Sequence, residues 1–254
     1  MRNAFICLAT LVALACCGKV TLAEWDWRKN GDPLGHWAAV LDSHVDAAGR
    51  VDFAGLAENP KALLRYLNYV AEVSPRSHPE RFPTRQATLA YYINAYNALA
   101  MYNVIDSGIP GTLSGLRKFH FFFLKQMRVG GKRISLYYLE NDVIRPLGET
   151  RVHFALNCMA VSCPRLPREP FTAEGLDRQL DREARYFFTE DRNLRIDPEN
   201  KTITVSEILD FYEEDFTAQD GSLTTYIDRY TESSIPSNFE VGFFDYDWTV
   251  NVQP

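Results

Sequence analysis

What this chain lacks narrows it first. Of its five cysteines, Cys7, Cys16 and Cys17 sit in the first 17 residues, leaving Cys158 and Cys163 for the body of the protein. Two sulfurs are too few for a disulfide-stapled scaffold. They also make a poor zinc site, because no fourth ligand stands at zinc-like spacing beside His153, Cys158 and Cys163, so neither a metal nor a cofactor is expected. No apolar run after residue 15 approaches the roughly 20 residues that a membrane-spanning helix needs. Positive charge is also scarce: 27 Lys and Arg against 33 Asp and Glu give a formal net charge of −6. An acidic balance without basic clusters argues against a nucleic-acid or anionic-membrane surface. Internal repeats, low-complexity tracts and long linkers are missing too.

What is present begins with an export pattern. Arg2 supplies a basic start, Ala4 to Ala15 are almost all apolar, and Thr21-Leu22-Ala23 offers small residues for cleavage before Glu24. A signal peptide over 1–23 and a single globular domain over 24–254 are therefore expected, in the periplasm or secreted. The competing expectation is a lipoprotein, anchored in the cell envelope through Cys16 or Cys17, since Ala13-Leu14-Ala15-Cys16 partly resembles a lipoprotein cleavage box. Cleavage after Ala23 removes Arg2 and Lys19 and no acid, which takes the formal charge to −8 over 231 residues. That is enough chain for a true core.

Helical periodicity runs over Asp32 to Asp46, over the residues after Pro60, and over a long stretch from a capping Thr84 to about Asp106. The last of these carries apolar and aromatic residues on all sides and so belongs in the centre of the fold. Phe119 to Val129, Gly130-Gly131 and Lys132 to Ser135 read as a hairpin, because adjacent glycines supply the positive φ angles of a two-residue turn. Ser135 to Arg145 reads as helix ended by Pro146, Val152 to Leu156 as a strand covered on both faces, Ala173 to Phe188 as helix, and Leu194 to Val205 as a second hairpin. Phe239 to Val250 is aromatic and extended. Helices first and short strands later predict an α+β domain, helix-rich, with a small antiparallel sheet and a long buried central helix.

Five separated motifs carry a resemblance: GRVDFAGL at 49–56, LAYYINAYNAL at 89–99, LEN and IR within 139–145, RVHFALNCMAVSCP at 151–164 and YDWTVN at 246–251. Together, in this order, they resemble the bacterial family called domain of unknown function 547. The family's helix has a tryptophan where Tyr92 stands, with both amides kept as Asn94 and Asn97, and Met159-Ala160-Val161 departs mildly from its cysteine motif. The resemblance implies a family and no activity.

The chemistry rests on the residues themselves. Asn94 and Asn97 share one face of a buried helix, and an unsatisfied buried amide costs about 1–3 kcal/mol, so both must find partners. Glu140 and Arg145, five apart and not on one helical face, are expected to pair with different elements. Cys158 is the candidate nucleophile and His153 the candidate base. A regular strand would set them about 16 Å apart on opposite faces, so the pair needs the strand to end near Leu156. No histidine follows Cys158, which excludes papain-like order, and the central helix has no cysteine for a transglutaminase-like layout. The rival for the sulfurs is a disulfide between Cys158 and Cys163, whose short loop suits the required Cα separation.

Two functions follow from these residues. One is an exported envelope or periplasmic structural or binding domain, its motif residues knitting a core and Trp25, Trp27 and Trp248 exposed to a partner. The other is a thiol-dependent hydrolase or acyl transferase with Cys158 as nucleophile, His153 as base, Glu140 orienting the imidazole, and Asn94 or Asn97 stabilising an oxyanion, acting on a small-molecule or peptide substrate.

Overall fold

The computed structural model describes residues 26–232 and 234–254. The expected signal peptide, Cys7, Cys16, Cys17 and Trp25 lie outside them. A short helix α1 (Trp27–Asn30) leads into α2 (Pro33–His44), capped by Asp32, whose carboxyl accepts the Gly35 N–H at 2.8 Å. Asp52 caps α3 (Phe53–Glu58) in the same way at 2.8 Å, and α4 (Lys61–Glu72) follows Pro60. The long helix α5 (Arg85–Asp106) starts at Thr84, whose hydroxyl accepts the Ala87 N–H at 3.0 Å. Fifteen of its 22 residues are buried, which makes it the central helix that its all-round apolar pattern predicts.

The next segment departs from the expected hairpin. Leu116–Phe119 forms α6 and His120–Leu124 continues it as a π-helical turn, in which the Lys125 N–H reaches the His120 carbonyl at 2.9 Å. Only Met127–Val129 (β1) and Lys132–Ile134 (β2) pair, antiparallel, about Gly130 and Gly131 at φ +56° and +84°. The run of four residues Phe121 to Leu124 suits either state, and packing against its neighbours selected helix. Beyond Ser135, α7 (Leu136–Tyr138) runs into a second π-helical turn, Leu139–Ile144, and a 3-10 turn, Arg145–Leu147. Pro146 sits inside that 3-10 turn; Gly148 at φ +69° ends it.

Val152 to Leu156 is not a strand. Thr150–Phe154 is a 3-10 helix whose first turn is capped by Glu149, which accepts the Arg151 N–H at 3.2 Å. Apolar residues on both parities report burial on all sides, and a buried 3-10 helix satisfies that as well as a central strand does.

Helix α8 (Leu176–Thr189) precedes β3 (Leu194–Asp197) and β4 (Thr202–Ser206), an antiparallel pair as expected. Then come α9 (Ile208–Phe211), α10 (Glu213–Asp220), α11 (Leu223–Asp228) and β5 (Glu240–Phe244). β5 adds to β4 in parallel, so the three-stranded sheet is mixed and not purely antiparallel. The intervening helices carry the chain back before it re-enters the sheet, which allows the parallel sense. The architecture is α+β.

One apolar cluster surrounds α5; a second gathers Phe154, Phe187, Phe188, Val205, Phe216 and Tyr226 between α8, the sheet and α10–α11. The C-terminal segment straps them. Leu113 N–H donates to the Trp248 carbonyl at 2.8 Å, Val161 N–H to Thr249 at 2.8 Å, and Asn251 N–H to Met159 at 2.9 Å. The cysteine loop is thus clamped by the last residues of the chain. Trp27, expected at the surface, is buried, with its indole N–H on Glu72 at 2.9 Å.

Candidate functional site

A cleft of about 340 Å³ opens beside the cysteine loop. Glu140, Arg145, His153, Cys158 and Cys163 all line it, joined by Lys118, Phe122, Tyr212, Tyr246 and Trp248. The π-helical turn explains how Glu140 and Arg145 meet there: the Arg145 N–H bonds back to the Glu140 carbonyl, five residues earlier, so both face the space that an ordinary helix would split between them. Their partners do belong to different elements. Glu140 is buried and accepts the Tyr96 hydroxyl of α5 at 2.8 Å and the Tyr212 hydroxyl, one on each carboxyl oxygen. Burial and the Glu140 carboxyl push both phenols well above their ordinary pKa, so both remain protonated donors.

Arg145 grips Asp215 with two bonds, Nε at 2.7 Å and Nη2 at 2.9 Å, and gives Nη1 to Asn141 Oδ1 at 2.7 Å. Asp215 lies in the first turn of α10, where the helix dipole favours a carboxylate, and its Oδ2 also meets His153 Nε2 at 2.8 Å. Burial alone would raise the Asp215 carboxyl; the bonds from His153 and Arg145 outweigh it and hold that group well below the usual carboxylate range. The His153 ring stacks on Tyr212 at 4.1 Å and meets Phe216 edge-on at 5.1 Å. Its Nδ1 is buried without a hydrogen-bond partner. The group orienting the imidazole is therefore Asp215, where Glu140 was expected.

Cys158 and Cys163 are free thiols, with their sulfurs 2.7 Å apart and the Tyr246 hydroxyl 3.1 Å from Cys163 Sγ and 3.5 Å from Cys158 Sγ. The bond to Cys163 and burial push the Cys158 thiol well above its ordinary value. Burial opposes ionisation of Cys163 as well, yet hydrogen bonds from Cys158, Tyr246 and backbone N–H groups bring it down. Among the described residues no hydrogen bond joins either sulfur to His153. The loop reaches this geometry through Met159 at φ +73°, a left-handed conformation fixed by the Asn157 side chain, which accepts the Met159 N–H at 2.6 Å.

Both central asparagines are elsewhere engaged. Asn94 accepts from Trp37 Nε1 at 3.2 Å and from the Phe171 N–H at 3.0 Å and donates to the Phe171 carbonyl at 2.7 Å, away from the sulfurs. Asn97 donates to the Ala155 carbonyl at 2.9 Å and accepts the Asn157 N–H at 2.8 Å. It pins the backbone that leads into Cys158, so its amide serves the loop and is not offered to a ligand. Trp248 is half-buried, beneath Lys118, whose Nζ sits 3.9 Å from the ring centroid.

Residues 80–188 match the family described as protein of unknown function, DUF547. The likeness to DUF547 thus takes in the motifs at 89–99, 139–145 and 151–164, which supply Tyr96, Glu140, Arg145, His153, Cys158 and Cys163 to the cleft. Tyr212, Asp215, Tyr246 and Trp248 come from beyond the matched span. No curated protein and no solved structure matches the chain. Among the described residues no helix is long and apolar enough to cross a membrane, and no group of three or more His, Cys, Asp and Glu is placed to hold a metal ion.

Asp215 and Tyr212 had no signal in the spacing of the motifs; the acidic run Glu213-Glu214-Asp215, of the kind favoured in a first helical turn, was the one pointer to a helix start there. Tyr246 stands in a motif already noticed, but nothing in YDWTVN says that its hydroxyl meets two sulfurs.

Proposed function

We propose that the chain is an exported binding domain of the cell envelope or periplasm, with the cleft as the seat for a small molecule or peptide segment. The observation that carries this reading is convergence: residues of four separate motifs, from Tyr96 to Trp248, line one aromatic-walled space, and key polar groups there are held by protein partners. Two tyrosines fix Glu140; Arg145 and His153 fix Asp215. Apolar walls around a few immobilised polar groups suit ligand binding. The apolar stretch Ala4 to Ala15 and the small residues before Glu24 support export.

Thiol-dependent acyl transfer is the second reading, favoured by the placement of Cys158 and His153 on one cleft. It requires the imidazole to leave Asp215 or to reach sulfur through a water. Titration with anilinonaphthalene sulfonate, an aromatic probe with one anionic group, tests the first reading: wild type brightens saturably, and Leu156→Trp, which fills the cleft, abolishes the saturable phase. Equal response from both proteins rejects the cleft as the seat. Incubation with p-nitrophenyl acetate separates the two readings, since an acetyl adduct on Cys158 that disappears in His153→Ala supports the thiol mechanism.

A further inference from the structure

Charge is distributed unevenly along this acidic chain. Between Ser107 and Leu139 lie six of the 27 Lys and Arg residues and none of the 33 Asp and Glu residues, so this segment is +6 in a chain of −6. The acidic average conceals a local basic surface. On the same segment lie the most exposed large apolar side chains among the described residues: Leu116 at 89%, Phe119 at 52% and Leu124 at 54%. Phe119 stacks on Phe123 at 5.4 Å and Phe123 on Tyr137 at 4.5 Å, giving a continuous aromatic ridge along α6 and its π-helical extension. Exposed Arg117 and half-buried Lys118 sit within the ridge.

We propose that this face docks on an anionic lipid surface. Aliphatic Leu116 and Leu124 offer nothing to a base or a phosphodiester but gain by entering the acyl boundary, while aromatic rings favour the headgroup level and cations favour anionic lipid. Charge complementarity selects the bilayer over an apolar protein partner, because Arg117 and Lys118 within the ridge take no ion pair among the described residues, while Lys125 at its end is paired with Asp106 at 2.6 Å. Phe123, Tyr137 and Lys118 belong both to this face and to the lining of the cleft, so a docked molecule opens its cleft beside the bilayer. The docking itself does not depend on what the cleft binds.

Co-sedimentation of the mature protein with phosphatidylglycerol/phosphatidylcholine vesicles, against phosphatidylcholine alone, tests the proposal. Binding to the anionic vesicles, weakened by salt and by Arg117→Glu, is expected; adding negative charge at one site lowers the partition coefficient about fivefold or more. The double variant Leu116→Ser/Phe119→Ser, in positions too exposed to support the core, reduces it further while circular dichroism and melting stay at wild type. Failure to bind anionic vesicles, binding indifferent to all these substitutions, or retention on duplex DNA without vesicle binding overturns the proposal. Arg117→Glu alone decides should the double variant misfold.

Discussion

Asp215→Asn removes one negative charge and leaves the shape almost unchanged, and the structure says what should follow. The wild-type carboxylate receives two bonds from Arg145, at 2.7 and 2.9 Å, and one from His153 at 2.8 Å. An asparagine in its place keeps one acceptor oxygen and presents an amide toward a guanidinium that cannot accept. Arg145 retains Asn141 and the face of Tyr212, 5.1 Å away, but loses its counter-charge. Hydrogen bonds to charged groups contribute about 1.5–3 kcal/mol each, and they are not additive within one network. Because Arg145 and Asp215 are only partly buried, the expected loss is somewhat below the roughly 3–5 kcal/mol typical of a broken buried pair, at about 2–4 kcal/mol.

Urea denaturation at pH 7 measures that loss, and its pH dependence tests the cause. A carboxyl held below its unfolded value of about 3.9 contributes in full above that value and loses its contribution as pH falls toward the folded value. The gap between wild type and variant should therefore stay flat from pH 7 to about pH 5 and narrow below about pH 4. A gap under about 0.5 kcal/mol, or one that has vanished by pH 5, refutes the reasoning.

Other substitutions address the rest of the frame. Asn97→Ala leaves the Asn157 N–H and the Ala155 carbonyl buried and unpaired, so chemical denaturation should show a loss of about 2–4 kcal/mol, whereas a neutral result would mean that the cysteine loop does not need its clamp. Mild oxidation should join Cys158 to Cys163 within one molecule and raise stability by about 2 kcal/mol, read by mass spectrometry and urea midpoint; intermolecular dimers would contradict the sulfur placement. Gly130→Ala would put a Cβ 2.0 Å from Ser74 Oγ at φ +56° and should cost upwards of about 2 kcal/mol. Gly131→Ala, at φ +84° with nothing within 4 Å, should cost about 1 kcal/mol, and equal melting temperatures for the two would show that the contact with Ser74 is not formed.

Much of the fold was legible because its signals are local. Thr84, Asp32 and Pro60 mark helix starts by side-chain chemistry that acts within one turn, and Gly130-Gly131 marks a tight turn by allowed φ alone. Val152 to Leu156 misled for a physical reason: complete burial erases the alternation that distinguishes a strand from a helix. Phe119 to Leu124 misled for a different reason, since a short unbroken apolar run suits strand and helix alike, and its exposed aromatics settle its state only once Tyr137 is seen to stack on Phe123. Glu140 and Arg145 were separated by ordinary helical geometry, and one π-helical turn brought them together. Neither π turns nor the long-range partner Asp215 leaves a mark in the spacing of residues, since both depend on contacts made across the fold.

The central claim is that the cleft beside the cysteine loop seats a ligand, and the crystal structure of the complex with anilinonaphthalene sulfonate tests it most directly. The account predicts the rings between Phe122, Tyr212 and Trp248 with the sulfonate toward Lys118. A probe bound only on the outer ridge of Leu116, Phe119 and Leu124, with the cleft vacant, would contradict it.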